Sequence, residues 1–265
     1  MTEENGILTF ESDKDSNGNE MINSSQRNNQ LVWPSVKEKP KAQYRTDWKN
    51  MCNVTCYAMA LRYSGWIIPS GPFDQDEDNL AYFILTDKEC RKYFKEYFPT
   101  NYDLFIRSLD GKCSEKELND LWFPNELHRM LSEGTNIYLK KNVSSFYSNY
   151  NFKYALWNNM VKNNLPLVIS TTFGEFNHIV CCTGVQYRKE DYEAASAKTI
   201  DYIDPVSIIV DDPWGKYNPE TNKYDAPNGG NDIIVPWSRV ITNVKPLNSP
   251  TVKWYHQFEK GPEVI

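Results

Sequence analysis

No apolar run in this chain of 265 residues approaches the length of a transmembrane helix, so membrane insertion is not expected. The opening residues, Met1-Thr2-Glu3-Glu4-Asn5, are acidic and polar, unlike a secretory signal peptide, and a cytoplasmic protein is the expectation. Lys and Arg form no cluster and the net charge is −6, which argues against nucleic acid or an anionic membrane as the main partner. The six cysteines show no framework spacing, and Cys181 and Cys182 are adjacent, so reduced thiols are expected rather than disulfides. Histidine is scarce: there are only 3, at His128, His178 and His256, so few side chains can act as a base near neutral pH. There is no internal repeat, and no cofactor is implied.

Aromatic residues are plentiful, with 17 Tyr and 8 Trp, enough for a sizeable core. Residues 11–30 are dominated by Asn, Ser, Asp and Glu, so residues 1–30 are expected to be a flexible polar tail and 31–265 a single domain. Asp13, Asp15, Asn17 and Gly18 match the opening of a calcium loop, but Ser24 stands where the closing Glu belongs. A solvated acidic tail is the better reading, and no metal is expected there. Asp74, Asp76, Glu77 and Asp78 precede a helix expected near Leu80–Leu85 and suit its dipole. Further helices are expected over Asp87–Tyr97, Asn101–Leu109, Pro124–Glu133 and Asn151–Lys162. His128 would lie on a helix surface, and His256 in a polar-aromatic tail. Strands are expected at Leu167–Thr172, His178–Val185, Val206–Asp212, Ile233–Val235 and Val240–Val244. Helices first and strands later imply an α+β fold with a helix packed on an antiparallel sheet.

Three short segments carry the chemistry. After Cys52, apolar residues at Val54, Tyr57, Ala58 and Leu61 follow helical spacing, and Gly65 is a natural stop. Cys52 then sits at a helix N-terminus, where unpaired N–H groups and the dipole favour the thiolate, the reactive form of cysteine. His178 opens a strand and Asp211-Asp212 closes the next. If these pair antiparallel with His178 opposite Asp212, then Val180 faces Val210, Cys182 faces Ile208 and Gly184 faces Val206. His178 and Asp212 would share a sheet face, and the carboxylate could fix the ring's tautomer. A register shifted by one would select Asp211 instead.

These segments resemble the bacteriocin-leader (double-glycine) peptidases and their soluble relatives, a branch of the papain-like cysteine peptidases. The matching residues are Cys52, Thr55, Cys56, Ala58, Met59 and Leu61, then His178, Ile179, Val180 and Gly184, then Asp212, Pro213, Trp214 and Gly215. They span Gln43 to Trp214 but are a minority of that stretch. Asn53-Val54 replaces the Gly-Pro that follows the nucleophile in many members. The resemblance implies a papain-like fold, Cys52 as nucleophile, His178 as base, Asp212 rather than Asp211 as orienting carboxylate, and Gln43 as oxyanion donor. Cys56 takes the place of the family's small residue. The implied activity is amide hydrolysis through a thioacyl-enzyme, on a protein or on cell-wall peptide, the latter as in a phage lysin that reaches the wall without its own signal. Acyl transfer by the same triad and a catalytically silent binding module are the alternatives. A zinc site of Cys52, Cys56, Cys182 and His178 lacks the usual paired-knuckle spacing.

Overall fold

The computed structural model describes residues 1–13, 21, 24, 52–99, 102–103, 107, 125–148, 151–173, 178–195, 203–227, 229–242 and 254–262. Gln43, Cys113, Asp15, Asn17, Gly18 and most of the helix expected over Asn101–Leu109 lie outside the described residues. In chain order the elements are β1 (Thr2–Glu4), β2 (Ile7–Glu11), α1 (Cys52–Tyr63), α2 (Asp76–Thr86), α3 (Lys88–Tyr97), α4 (Asn125–Leu139), β3 (Ser144–Ser148) and α5 (Phe152–Leu156). A π-helical turn, Trp157–Lys162, continues α5. There follow β4 (Leu167–Thr171), β5 (His178–Arg188), α6 (Lys189–Ala194), β6 (Ser207–Asp211), β7 (Lys216–Asn218), β8 (Lys223–Ala226), β9 (Ile233–Pro236), α7 (Trp237–Thr242) and β10 (Trp254–Phe258). Helices and an antiparallel sheet make the fold α+β.

The sheet is organised around β5. Its sequence, HIVCCTGVQYR, is buried along nearly its whole length, as a central strand covered on both faces must be. One edge of β5 is shared: β4 pairs with His178–Cys182 and β2 with Gly184–Arg188. The other edge carries β6, and β9 lies beyond it. Outward from β4 come β10 and then β3. Thr183 marks the handover between β4 and β2. There β5 carries a bulge, and the Thr183 carbonyl accepts from both the backbone N–H and the hydroxyl of Ser12. A side chain at position 184 would press on the Phe10 carbonyl at 2.8 Å, so this crossing needs glycine.

α1 packs across β5, β4 and β10. It is apolar nearly all round and buried nearly all round, with α2, α3 and α4 closing its outer side. Its end is a Schellman motif: Trp66 N–H donates to the Leu61 carbonyl, Gly65 N–H donates to Arg62, and Gly65 has φ +82°. On the opposite sheet face, Leu167, Ile169, Val180, Cys182, Ile208 and Val210 pack under α5, the β7–β8 hairpin and α7.

Several expectations need correction. Residues 1–13 are no loose tail: β1 and β2 form a hairpin on β5, and Leu8 and Phe10 are buried. Strand alternation in Ile7-Leu8-Thr9-Phe10 is masked by the polar run that follows it. Val240 lies in a helix, not a strand, because Trp237 and Val240 fall three apart on one buried helical face. His128 is buried rather than on a surface, and His256 belongs to an interior strand. The His128 ring lies 3.9 Å from Trp254 and 5.8 Å from His256, centroid to centroid.

Both histidines are held neutral. Burial pushes His128 down to about 3. Burial, and secondarily the neighbouring His128, push His256 well below the usual range. In the unfolded chain both return to about 6.5. Unfolding therefore takes up protons below that pH, so stability is complete above about pH 6.5 and is lost as pH falls toward 3. Urea unfolding at a series of pH values should show His256→Phe with a smaller acid loss than the natural chain. Removing residues 1–13 should lower the melting temperature by several degrees, and Phe10→Ala alone should cost about 3 kcal/mol or more; an unchanged melting temperature would mean the hairpin adds nothing to the core.

Candidate active site

The site forms where the N-terminus of α1 meets the start of β5. Cys52 is the first residue of α1 and His178 the first of β5. α1 is held on the sheet at two further points, one on β5 and one on β6. The Cys56 thiol donates to the Ile179 carbonyl at 3.3 Å, and the Tyr63 hydroxyl donates to Asp211 Oδ2 at 2.7 Å. These contacts seat the helix so that Cys52 lies beside the His178 ring and acts on its charge.

The β5–β6 register differs from the expected one. Cys181 faces Asp211 and Cys182 faces Val210, and after the bulge Gly184 faces Ile209. Carried one step further, that register sets Asp212 level with Val180, so His178 is its diagonal rather than its direct neighbour. The shift at this end is by two residues, and an even shift keeps every side chain on its face. His178 and Asp212 therefore still meet: His178 Nε2 lies 2.7 Å from Asp212 Oδ1. Asp211 points to the α1 face and takes no part in that contact.

Cys52, His178 and Asp212 are 5%, 3% and 2% exposed. A carboxylate so enclosed needs donors. Asp212 has them: the Trp214 backbone N–H reaches Oδ1 at 2.8 Å and the Tyr224 hydroxyl reaches Oδ2 at 2.7 Å, in addition to His178. Its backbone N–H donates to the Gly230 carbonyl at 2.7 Å, and a side chain at 230 would meet the Asp212 carbonyl at 2.1 Å. The turn that aims Asp212 thus depends on a glycine beside it.

Burial alone would strip the proton from His178. The Asp212 charge and hydrogen bond, then Cys52 beside the ring, outweigh it and push the ring up to about 10. The ring is therefore an imidazolium at neutral pH. With Nε2 on Asp212, Nδ1 is the nitrogen left to face the thiol. The arrangement can hold a sulfur nucleophile next to a proton carrier whose orientation is fixed.

Tyr224 was not foreseen. Its ring stands edge-on to His178 at 6.2 Å, and it arrives on the β7–β8 hairpin, within what reads as a Pro/Gly/Asn-rich loop. The alternation Lys216-Tyr217-Asn218 and Lys223-Tyr224-Asp225 around a turn closed by Asn222, at φ +55°, was the available signal. Gln43 lies outside the described residues. The zinc reading is not met. The Cys182 thiol donates to the Gly184 carbonyl and that of Cys56 to Ile179, and their ligand atoms do not gather with Cys52 and His178. No protein-family model, curated protein or solved structure matches the chain.

Because the folded pKa of His178 is raised, the protonated ring adds stability that is complete below about 6.5 and fades as pH rises toward about 10. In Asp212→Asn the main raising influence is gone, and NMR titration of the ring should find a midpoint well below that of the natural chain. Tyr224→Phe removes one donor to Asp212 and should cost roughly 1–2 kcal/mol in urea unfolding. An unshifted His178 midpoint in Asp212→Asn would contradict the electrostatic account.

Proposed function

We propose that this chain is a cysteine peptidase of the papain-like type, related to the double-glycine leader peptidases. Its substrate would be a peptide bond in a protein or in cell-wall peptide. The observation that carries the reading is the His178–Asp212 pair beside Cys52, with the sulfur at a helix N-terminus and the carboxylate held by three donors. A structural cysteine has no need of a raised imidazolium beside it, nor of a carboxylate aimed at that imidazolium's far nitrogen.

In this reading the Cys52 sulfur attacks the carbonyl carbon while His178 holds the proton on Nδ1. The oxyanion forms beside the Cys52 backbone N–H at the α1 N-terminus, with Gln43 as second donor by family resemblance. Nδ1 then gives its proton to the leaving amine. Water attacks the thioester next, with His178 as base, and the thiol is restored. Throughout, Asp212 keeps the ring in one orientation and balances its charge.

Iodoacetamide labelling and hydrolysis of peptide and cell-wall substrates test the assignment. Cys52→Ala should abolish both, and Cys56→Ser should keep most activity. His178→Ala should lose roughly 10²–10⁴-fold in rate. Asp212→Asn should lose less, since an amide still hydrogen-bonds the ring, and Asp211→Asn least. Loss of labelling only in the Cys56 variant would sink the assignment of the nucleophile.

A further inference from the structure

On the other side of β6 from Asp212, three carboxylates converge from segments far apart in sequence. Asp13 follows β2, Asp211 ends β6, and Asp232 stands in the turn before β9. Each offers an oxygen, and these lie within 4.8 Å of one another. Asp13 is 1% exposed, and its Oδ1 is buried with no hydrogen-bond partner among the described residues. The ordinary partners of Asp211 are the Tyr63 hydroxyl at 2.7 Å and the Asp232 backbone N–H at 3.0 Å. Asp232 Oδ2 accepts from the Asn231 side chain at 3.1 Å.

A buried carboxylate oxygen with no donor loses its water and gains nothing. Three carboxylates this close repel one another unless protons or a cation intervene. The donor set is oxygen only, which selects a hard ion. Ligand oxygens at Ca–O distances of about 2.3–2.6 Å stand at most roughly 5 Å apart across the ion, so oxygens spaced as these are can share one centre.

We infer that Asp13, Asp211 and Asp232 form a divalent-cation site of the Ca²⁺ or Mg²⁺ class, which fastens the end of β2 and the turn before β9 to the end of β6. The calcium-loop match of Asp13 in sequence is incomplete because the ligands that join it come from elsewhere in the fold. Asp211 is bonded to Asp212 through the main chain, so the ion would also stiffen the segment that aims the site carboxylate. The site stands whether or not the peptidase reading does.

The test uses the full chain, stripped with EDTA and returned to metal-free buffer. Ca²⁺ at a hundredfold its dissociation constant should raise the melting temperature by roughly 5 °C or more. Mg²⁺ acting in its place would support the site and assign the smaller ion. Tb³⁺ should give luminescence sensitised through tyrosine, Tyr63 being bonded to Asp211, and Ca²⁺ should displace it. Asp13→Asn and Asp232→Asn should each remove the thermal shift and the luminescence. If one variant fails to fold, the other variant and the Tb³⁺ titration of the natural chain decide. Absence of both signals in the natural chain overturns the site, and so does a thermal shift that survives in both variants.

Discussion

A carboxylate cut off from water keeps its charge only where donors replace the water. Asp212 is in that position, and much of the surrounding structure serves it. The turn at Pro213-Trp214 supplies a backbone N–H, the β7–β8 hairpin supplies Tyr224, and the Gly230 carbonyl anchors its main chain. The fourth participant is the His178 ring, whose positive charge the same carboxylate stabilises. Remove the charge on Asp212 and the ring reverts to what burial prefers, a neutral imidazole. The remainder of the site follows from this pair, since a fixed imidazolium gives the thiol at the α1 terminus a defined neighbour.

The placement of that pair depends on parity in the sheet. β6 ends in two aspartates whose side chains leave by opposite faces. One goes to Tyr63 on α1 and the other to His178. The bulge at Thr183 is confined to the far side of Cys182, so the alternation between His178 and Cys182 is undisturbed. This explains how a wrong register left the right residues together: the error was two residues, and facing repeats every two.

The parts legible in the sequence were those set by local pattern. Helical spacing after Cys52, the apolar run after His178, and the Asp-Pro-Trp-Gly ending belong to short continuous segments. What was not legible came from pairings between distant segments. β2 is too short to stand out before a polar run, and only its seat on β5 makes it a strand. β10 reads as a polar-aromatic tail because His256 faces Tyr57 and Phe146 rather than water. Tyr224 depends on a hairpin folding back over the end of β6. Asp13 reads as a solvated acid until the end of β6 and the turn before β9 are brought beside it. In each case a tertiary neighbour changes what an otherwise polar stretch does.

The position of β2 also bears on how the chain reaches its native state. Ile7 pairs with Arg188 and Glu11 with Gly184. A strand near the beginning must wait for one made late, and the loop it closes is among the longest the topology contains. Such a strand cannot seed folding; it joins a sheet whose β4–β5–β6 centre is assembled from nearer neighbours. Until then Leu8 and Phe10 stay in water, and the upper half of one β5 edge is bare. During that interval the open edge could accept the same strand from another copy, so exchange of the β1–β2 hairpin between molecules is the misassembly that this topology most readily permits.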